Sequence, residues 1–469
     1  MATIKKNKYT EGKIITSLLN LALPIIFANI LQSAYQLIDT FWLGRLGADA
    51  VAAVSLSFPL LFLVLSIGAG LTLAGTVMVA RYKGAENQQM VNFSSSQSVF
   101  LILLTSIVLA VLSYFASGLL MKIIGAGPDI IEDSVKYFKV SSVGFVFLFL
   151  FFIFQSLMRG IGNVMLPVYI VLATVILNAG LDPLFIYGFG PIPGYGVAGA
   201  AVASVMTQAI AAAIGLIILF RGKHGIKISL KSMYFNTEYL KRTFNLGFPA
   251  SIEQSTRALG MTMMMVIVTG FGSDIVAAYG IGARMLSFIV VPALGLGIAT
   301  TSLVGQNIGA LKIKRAEKVA ILSSKVAFFG FTGLGAIMFL VAEPLTAFFI
   351  PEDLQVIQDG ALFIKIMAFS FGFLGLQQVM NGTFNGAGFT KASMFISIMT
   401  LWLVRFPLAY ILAHPMGIGP VGIWWSFPIS NVIAGIVAFI YFKTGYWKKR
   451  VIRDRSFLTA GESDGGSMT

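Results

Sequence analysis

The sequence contains no cysteine and only two histidines among its 469 residues. Without cysteine there is no disulfide framework, no thiol nucleophile and no cysteine-based metal site. His224 and His414 both fall in predicted loops, which disfavours a histidine metal centre or general base. A G-x-x-x-x-G-K-[ST] phosphate-binding loop is also missing, so the usual P-loop use of ATP is excluded. We expect no cofactor, and any uphill work must draw on an ion gradient.

Charged residues are scarce, at 11% of the chain, whereas hydrophobic residues make up 57% and the mean hydropathy is +0.87. This composition is typical of a chain that lies mostly in a membrane. Twelve apolar stretches are long enough to cross ~30 Å of hydrocarbon. They lie at about 14–42, 50–80, 93–123, 136–158, 166–188, 197–220, 244–270, 275–304, 320–350, 361–385, 392–413 and 420–442. The sequence therefore predicts an all-α polytopic membrane protein with twelve transmembrane helices.

The net charge of +14 comes from lysines and arginines that concentrate in alternate loops. One side takes the amino-terminal lysines, the segment from Arg221 to Arg242 and the basic tail from Lys443 to Arg455. By the positive-inside rule, that side and both termini are cytoplasmic. The basic surplus thus reflects topology and attraction to anionic lipid headgroups, and does not indicate nucleic-acid binding.

The chain repeats itself at an offset of 225 residues. Residues 20–85 and 245–310 align without a gap and share 16 identities in 66 positions, which indicates an internal duplication. An even number of helices per copy predicts parallel repeats, two six-helix lobes related by a pseudo-twofold axis along the membrane normal. The predicted segments are an amino-terminal lobe at 1–221, a cytoplasmic linker at 222–243, a carboxy-terminal lobe at 244–455 and a flexible tail at 456–469.

Such a pair of lobes suits transport by alternating access, although duplication also builds large static bundles, as in some channels. The second copy does not repeat the acid of the first, because Asp39 aligns with Met264. The two lobes are therefore expected to differ in their ionisable groups.

Polar side chains line one face of the first span, where Asn29, Gln32, Gln36 and Asp39 follow at helical spacing. Lipid does not tolerate such a stripe, so it is predicted to face the bundle interior or a watery cavity, with Gln32 and Gln36 as cavity candidates. Asp39 is then a functional carboxylate. The alternative is that Asp39 has reached the outer interface and is merely solvated.

The fifth span repeats this pattern with Thr174, Asn178 and Asp182 at intervals of four. Two carboxylates at similar depth in one lobe favour binding and release of a proton, or of Na⁺ with the help of Asn178. Tyr137 and Ser204 are further candidates for the hydrogen-bond network. The alternative for Asp182 is a turn cap before Pro183. Beyond this possible Na⁺ site, we expect no metal.

Other candidates lie on either side of the duplication. Pro24 is expected to kink the first span, as a hinge or as fixed architecture. Glu253 and Arg257 are predicted to neutralise each other, or Glu253 serves as a second cation or drug site. The other predicted substrate-cavity residues are Met261, Met264, Arg284 and Asn381. For the methionines core packing or lipid contact is the competing interpretation, and for Asn381 helix-to-helix hydrogen bonding.

Over nearly its whole length the chain resembles the multidrug and toxic compound extrusion (MATE) transporters. The matching motifs are Asp39-Thr-Phe-Trp-Leu-Gly44, Gly47-Ala-Asp-Ala-Val-Ala-Ala53, Leu177-Asn-x-x-x-Asp-Pro183 and Gly305-Gln-Asn-x-Gly-Ala310. The combination of acids is most similar to the prokaryotic branch named after DNA-damage-inducible members. The resemblance implies a cation site at Asp39, Asn178 and Asp182 with Tyr137 as hydrogen-bonding neighbour, Ser204 at a small-hydroxyl position, and a first helix that bends on protonation.

The leading hypothesis is a secondary antiporter in a prokaryotic plasma membrane. It would export amphipathic, often cationic organic compounds in exchange for H⁺ or Na⁺, and we expect it to act as a monomer among membrane lipids. One alternative is a flippase for a lipid-linked anionic precursor, in which arginines of the second lobe meet a phosphate. A membrane-embedded enzyme is disfavoured, because neither paired histidines nor a Ser-His pair is visible.

Overall fold

The computed structural model describes residues 8–349, 351 and 353–448. The tail predicted at 456–469 lies outside these residues, as do the lysines before Lys8. The first half of the chain forms seven helices, a short strand pair and a 3₁₀ turn. They are α1 (Lys8–Glu11), α2 (Ile14–Gly44), α3 (Ala48–Gly84), α4 (Gln88–Ile124), α5 (Ile131–Ile161), α6 (Met165–Tyr187), β1 (Gly188–Phe189), β2 (Ile192–Pro193), α7 (Val197–Arg221) and the 3₁₀ turn Leu230–Ser232.

The second half is helical and more often interrupted. Its elements are α8 (Thr237–Thr269), α9 (Ser273–Gly309), α10 (Ile313–Leu340), α11 (Ala342–Phe349), α12 (Leu354–Ala368), α13 (Phe371–Gly386), α14 (Thr390–Ile398), the π-helix Met399–Arg405, α15 (Phe406–Ala413) and α16 (Pro420–Lys443). The helices α12 and α13 meet at a 53° bend.

Within the described residues, ten helical segments are long and apolar enough to cross a membrane, and the bent pair α12 and α13 raises the number to eleven. The helix α8 is 33 residues long but is not among them. It contains Glu253 and Arg257 in its middle, which lowers its hydropathy. At 33 residues, α8 is long enough to be the twelfth span. The predicted twelve-helix membrane fold is therefore confirmed, with six helices from each copy of the repeat.

The fold divides into two compact units. The N-unit is Phe27–Ser251, and the C-unit comprises the described residues up to Ile26 and from Ile252 onward. The division therefore falls within α2 and α8, at positions that correspond under the 225-residue offset. The start of α2 belongs with the second copy of the repeat, and the start of α8 belongs with the first.

Two glycines allow these helix starts to pack closely. In the N-unit, a Cβ on Gly70 of α3 would overlap the backbone of Gly247 and the side chain of Ser251 on α8. In the C-unit, a Cβ on Gly295 of α9 would overlap Ile26 on α2. Gly70 and Gly295 are equivalent under the offset, so both copies use the same backbone approach.

Candidate functional site

The candidate site lies in the N-unit, where α2, α6 and α7 bring polar side chains together. Asn178 and Asp182 follow one another on one face of α6 because they are four residues apart, and both are fully buried. Asp39 comes from the last two turns of α2. Ser204 and Thr207 come from α7, so three helices contribute to one cluster.

A single amide joins the two acids. The Nδ2 atom of Asn178 donates to Oδ1 of Asp39 at 2.6 Å and to Oδ2 of Asp182 at 2.8 Å. The hydroxyl of Ser204 donates to Oδ2 of Asp39 at 3.3 Å. The structure thus brings together four of the five residues predicted to bind a cation: Asp39, Asn178, Asp182 and Ser204. Their role in binding remains a prediction.

The sequence reasoning missed Tyr35, which fixes the orientation of the amide. Its hydroxyl donates to Oδ1 of Asn178 at 2.6 Å and lies 3.1 Å from Oγ of Ser204 and 2.9 Å from Oγ1 of Thr207. With the Oδ1 atom of Asn178 held in this way, its Nδ2 atom faces the two acids. The available signal was spacing, because Tyr35 precedes Asp39 by four residues and shares its helix face.

The cluster is rich in oxygen and contains no basic side chain. Neither acid takes part in an ion pair among the described residues, and the Oδ1 atom of Asp182 is buried without a hydrogen-bond partner there. Two like charges ~5 Å apart repel by ~3 kcal/mol at an effective dielectric constant of ~20. A proton or a small cation between the carboxylates would remove this repulsion and complete the hydrogen bonding. The donor set fits either one, since hard cations prefer oxygen ligands.

The structure does not bring the other predicted residues of this lobe into the cluster. Tyr137 packs against the apolar group that includes Leu43 and Ile186 and makes no hydrogen bond to Asp39, Asn178 or Asp182. The side chain of Gln36 is exposed and that of Gln32 is half-buried. None of these three side chains is hydrogen-bonded to Asp39, Asn178 or Asp182, and the cation-site role of Tyr137 and the cavity role of the glutamines remain predictions.

A second polar network lies in the C-unit around Glu253 of α8. Its Oε1 atom accepts hydrogen bonds from Arg257 Nη2 at 2.7 Å and from Asn381 Nδ2 at 3.1 Å. Arg257 also donates to Oε1 of Gln378 at 2.9 Å. Glu253 is only 5% exposed, so its charge is compensated inside the bundle. Glu253 and Arg257 thus form an ion pair with Asn381 as an added donor, and the cavity roles of Glu253 and Asn381 remain predictions.

The remaining candidates are spread through the C-unit. Met264 is 2% exposed and Met261 is 68% exposed, so Met264 belongs to the packed interior and Met261 to the surface. Arg284 is exposed on α9. Pro24 lies inside α2, which is continuous from Ile14 to Gly44, and its hinge role stays a prediction.

Comparison with known proteins agrees with the fold and with the repeat. The sequence pattern of the MatE family matches residues 24–184 and, a second time, residues 249–411. The chain belongs to the MatE family. The two matches begin at Pro24 and Pro249, separated by the 225-residue offset of the internal repeat. The protein is therefore a multi-pass membrane transporter and not an enzyme.

Individual MatE relatives match over almost the whole chain. The probable multidrug resistance protein YoeA of Bacillus subtilis is 26% identical over 457 residues, 97% of this chain and 98% of its own. A protein named FAD transporter from Shewanella oneidensis is 27% identical over 431 residues, 90% of this chain and 93% of its own. A solved outward-facing multidrug resistance MATE transporter superimposes with a TM-score of 0.88 at 24% identity, covering 97% of this chain and 99% of that one. The membrane fold of this chain is thus that of MATE transporters.

Proposed function

We propose that this MatE protein is a cation-coupled secondary antiporter that exports amphipathic, often cationic organic compounds in exchange for H⁺ or Na⁺ by alternating access. The observation that supports the coupling is the pair of acids Asp39 and Asp182, joined by one amide and without a basic partner among the residues that the structure describes. Relatives named as multidrug resistance proteins support the substrate class. The proposed location is a prokaryotic plasma membrane with both termini in the cytoplasm.

The chemistry of coupling follows from competition for the carboxylate oxygens. In the cation-free state, the N–H groups of Asn178 and the hydroxyl of Ser204 stabilise the charged acids. When a cation binds, it neutralises the pair, and these donors lose part of their electrostatic role. A cation that crosses ~100 mV releases ~2.3 kcal/mol, enough for a roughly fiftyfold concentration ratio of a neutral exchanged solute.

The test is efflux of ethidium from reconstituted vesicles under either a pH gradient or a Na⁺ gradient alone. We compare the unmodified protein with Asp39→Asn and Asp182→Asn, which keep the shape of the side chain and one acceptor oxygen but remove the charge. Asp49→Asn is the matched control, because Asp49 is exposed at the start of α3 in the same unit. Efflux driven by one gradient, lost in the first two variants and kept in the control, supports the proposal and identifies the ion.

Two outcomes of this efflux experiment would contradict the proposal. If the folded protein exports ethidium under neither gradient, or if Asp39→Asn and Asp182→Asn retain gradient-driven efflux, coupling through these acids is wrong. Because one relative is named an FAD transporter, FAD is tested beside ethidium in the same vesicles. Export of FAD but not ethidium would replace the proposed cationic substrate class while leaving the coupling site in place.

A further inference from the structure

Arg405 is a charged side chain within the eleventh span, at the end of the π-helix Met399–Arg405. Short π segments inside α-helices are frequent at functional sites. The segment joins α14 to α15, and together they form a candidate membrane span from Thr390 to Ala413. An arginine at this depth is costly unless its charge and its N–H groups find partners.

Neutral groups hold the guanidinium of Arg405 on one side. Its Nε atom donates to Oγ of Ser430 at 2.8 Å, and its Nη2 atom donates to Oδ1 of Asn431 at 2.6 Å. Asn431 is in turn fixed by donating from Nδ2 to Oγ of Ser370 at 3.1 Å, at the bend between α12 and α13. The ring of Phe427 lies 4.7 Å from the guanidinium carbon. The orientation of Arg405 is therefore set by α16, which Ser370 contacts at the bend between α12 and α13.

The partners of Arg405 are all uncharged, so none of them neutralises its positive charge. A guanidinium has five N–H donors, and the two hydrogen bonds leave Nη1 unused. Among the described ion pairs none includes Arg405. Arg257 of the same unit shows the contrast, because it pairs with Glu253 at 2.7 Å. Within the described part of the chain, Arg405 is thus a positioned cation with unused N–H donors and no carboxylate partner.

A second N–H donor without a partner among the described residues belongs to Trp424, which packs in an aromatic cluster that includes Phe427. Trp424 is fully buried, and its Nε1–H has no hydrogen-bond partner within the described chain. Its ring stacks on Tyr279, with centroids 6.0 Å apart, and packs against Phe363 at 4.5 Å. Tyr279 and Phe363 also contact Phe427, the ring next to Arg405. The region therefore combines a cation with an unsatisfied N–H donor.

We propose that the C-unit contains an oxyanion-binding site centred on Arg405, which takes a carboxylate or a phosphate group. The guanidinium fork matches two oxygens of either group. Ser430 and Asn431 hold the fork in place, and the bound anion supplies the missing counter-charge. The oxyanion belongs either to a soluble organic molecule or to a lipid headgroup. The site is separate from the acids of the N-unit, so it does not depend on the proposed cation coupling.

The test measures equilibrium binding of phenyl phosphate and of benzoate to the full-length protein in phosphatidylcholine nanodiscs, by calorimetry and without any ion gradient. We expect saturable binding that weakens about tenfold or more in Arg405→Gln, because the charge-assisted hydrogen bonds are lost. Arg405→Lys is expected to fall between the two, since a lysine keeps the charge but not the fork. Lys314→Gln is the control, because it removes an exposed positive charge at the start of α10 in the same unit, and it should change affinity less than twofold.

A second variant covers the case in which Arg405→Gln does not fold. Asn431→Asp has nearly the same shape and places a carboxylate 2.6 Å from the guanidinium, so it should compete as an internal counter-ion and abolish binding of the added anion. Weaker phenyl phosphate binding in phosphatidylglycerol nanodiscs assigns the site to a lipid headgroup, and unchanged binding assigns it to a soluble oxyanion. The proposal is overturned if the unmodified protein binds neither probe and phosphatidylglycerol does not co-purify with it, or if both Arg405→Gln and Asn431→Asp bind like the unmodified protein.

Discussion

Replacing Tyr35 with phenylalanine tests whether the amide of Asn178 controls cation affinity. The change removes one hydroxyl and leaves the ring. That hydroxyl is the closest partner of the Asn178 Oδ1 atom, at 2.6 Å, and the other is Thr207 at 3.3 Å. Without it, the amide is held less firmly, and its N–H groups compete less well with a cation for the oxygens of Asp39 and Asp182. We therefore expect Tyr35→Phe to bind the coupling cation more tightly.

The magnitude follows from the hydrogen bonds involved. A buried polar atom that loses its partner costs about 1–3 kcal/mol. Because Thr207 still contacts Oδ1 of Asn178, the lower end of that range applies, about 1–1.4 kcal/mol. This corresponds to a roughly five- to tenfold lower concentration of driving cation for half-maximal efflux. Release of the cation should slow by a similar factor, since affinity differences lie mostly in the dissociation rate.

The assay is the initial rate of ethidium efflux from reconstituted vesicles as a function of the driving cation. Tyr169→Phe is the matched control, because it removes the same hydroxyl from a tyrosine of α6 in the same unit that is 60% exposed. Its half-maximal concentration should stay within twofold of the unmodified protein. An unchanged value in Tyr35→Phe would show that Tyr35 does not control the cation affinity. A higher value would make the hydroxyl of Tyr35 a direct cation ligand.

Two further predictions concern packing and charge. Gly70→Ala should lower the thermal unfolding midpoint in detergent, because its Cβ overlaps the α8 backbone and overpacking costs about 1–3 kcal/mol. Gly118→Ala is the control and should be neutral or slightly stabilising, because no atom lies within 4 Å of the new Cβ. Equal midpoints for the two variants would contradict the close approach of α3 and α8. Glu253→Gln should destabilise by about 3 kcal/mol, because it leaves the charge of Arg257 uncompensated. Adding Arg257→Met should recover much of the lost stability, and a double variant no more stable than Glu253→Gln would show that the pair is not coupled.

Much of the membrane architecture is visible in the sequence because hydropathy and the repeat are local, additive signals. Apolar length predicts each span. The spans that are hardest to define correspond to elements with polar content or breaks, such as α8, with Glu253 in its middle, and the bent pair α12 and α13. The division of the fold inside α2 and α8 has no comparable signal. It depends on which neighbour each half-helix contacts, through glycines such as Gly70 and Gly295.

The membrane class, the duplication and the acids of the candidate site can be predicted from sequence patterns alone. Helical spacing places Asn178 and Asp182 on one face, and carboxylates inside a membrane span are rare. Which groups contact one another depends on how the helices pack. Asp39 and Asn178 are 139 residues apart, and only the packing of α2 on α6 and α7 shows that one amide bridges both acids while Tyr35 orients it. The same holds for Arg405, since its lack of a carboxylate partner among the described residues is a property of its surroundings in three dimensions. Periodicity specifies a face of a helix, but side-chain chemistry acts over about 3 Å, a distance set only when helices pack.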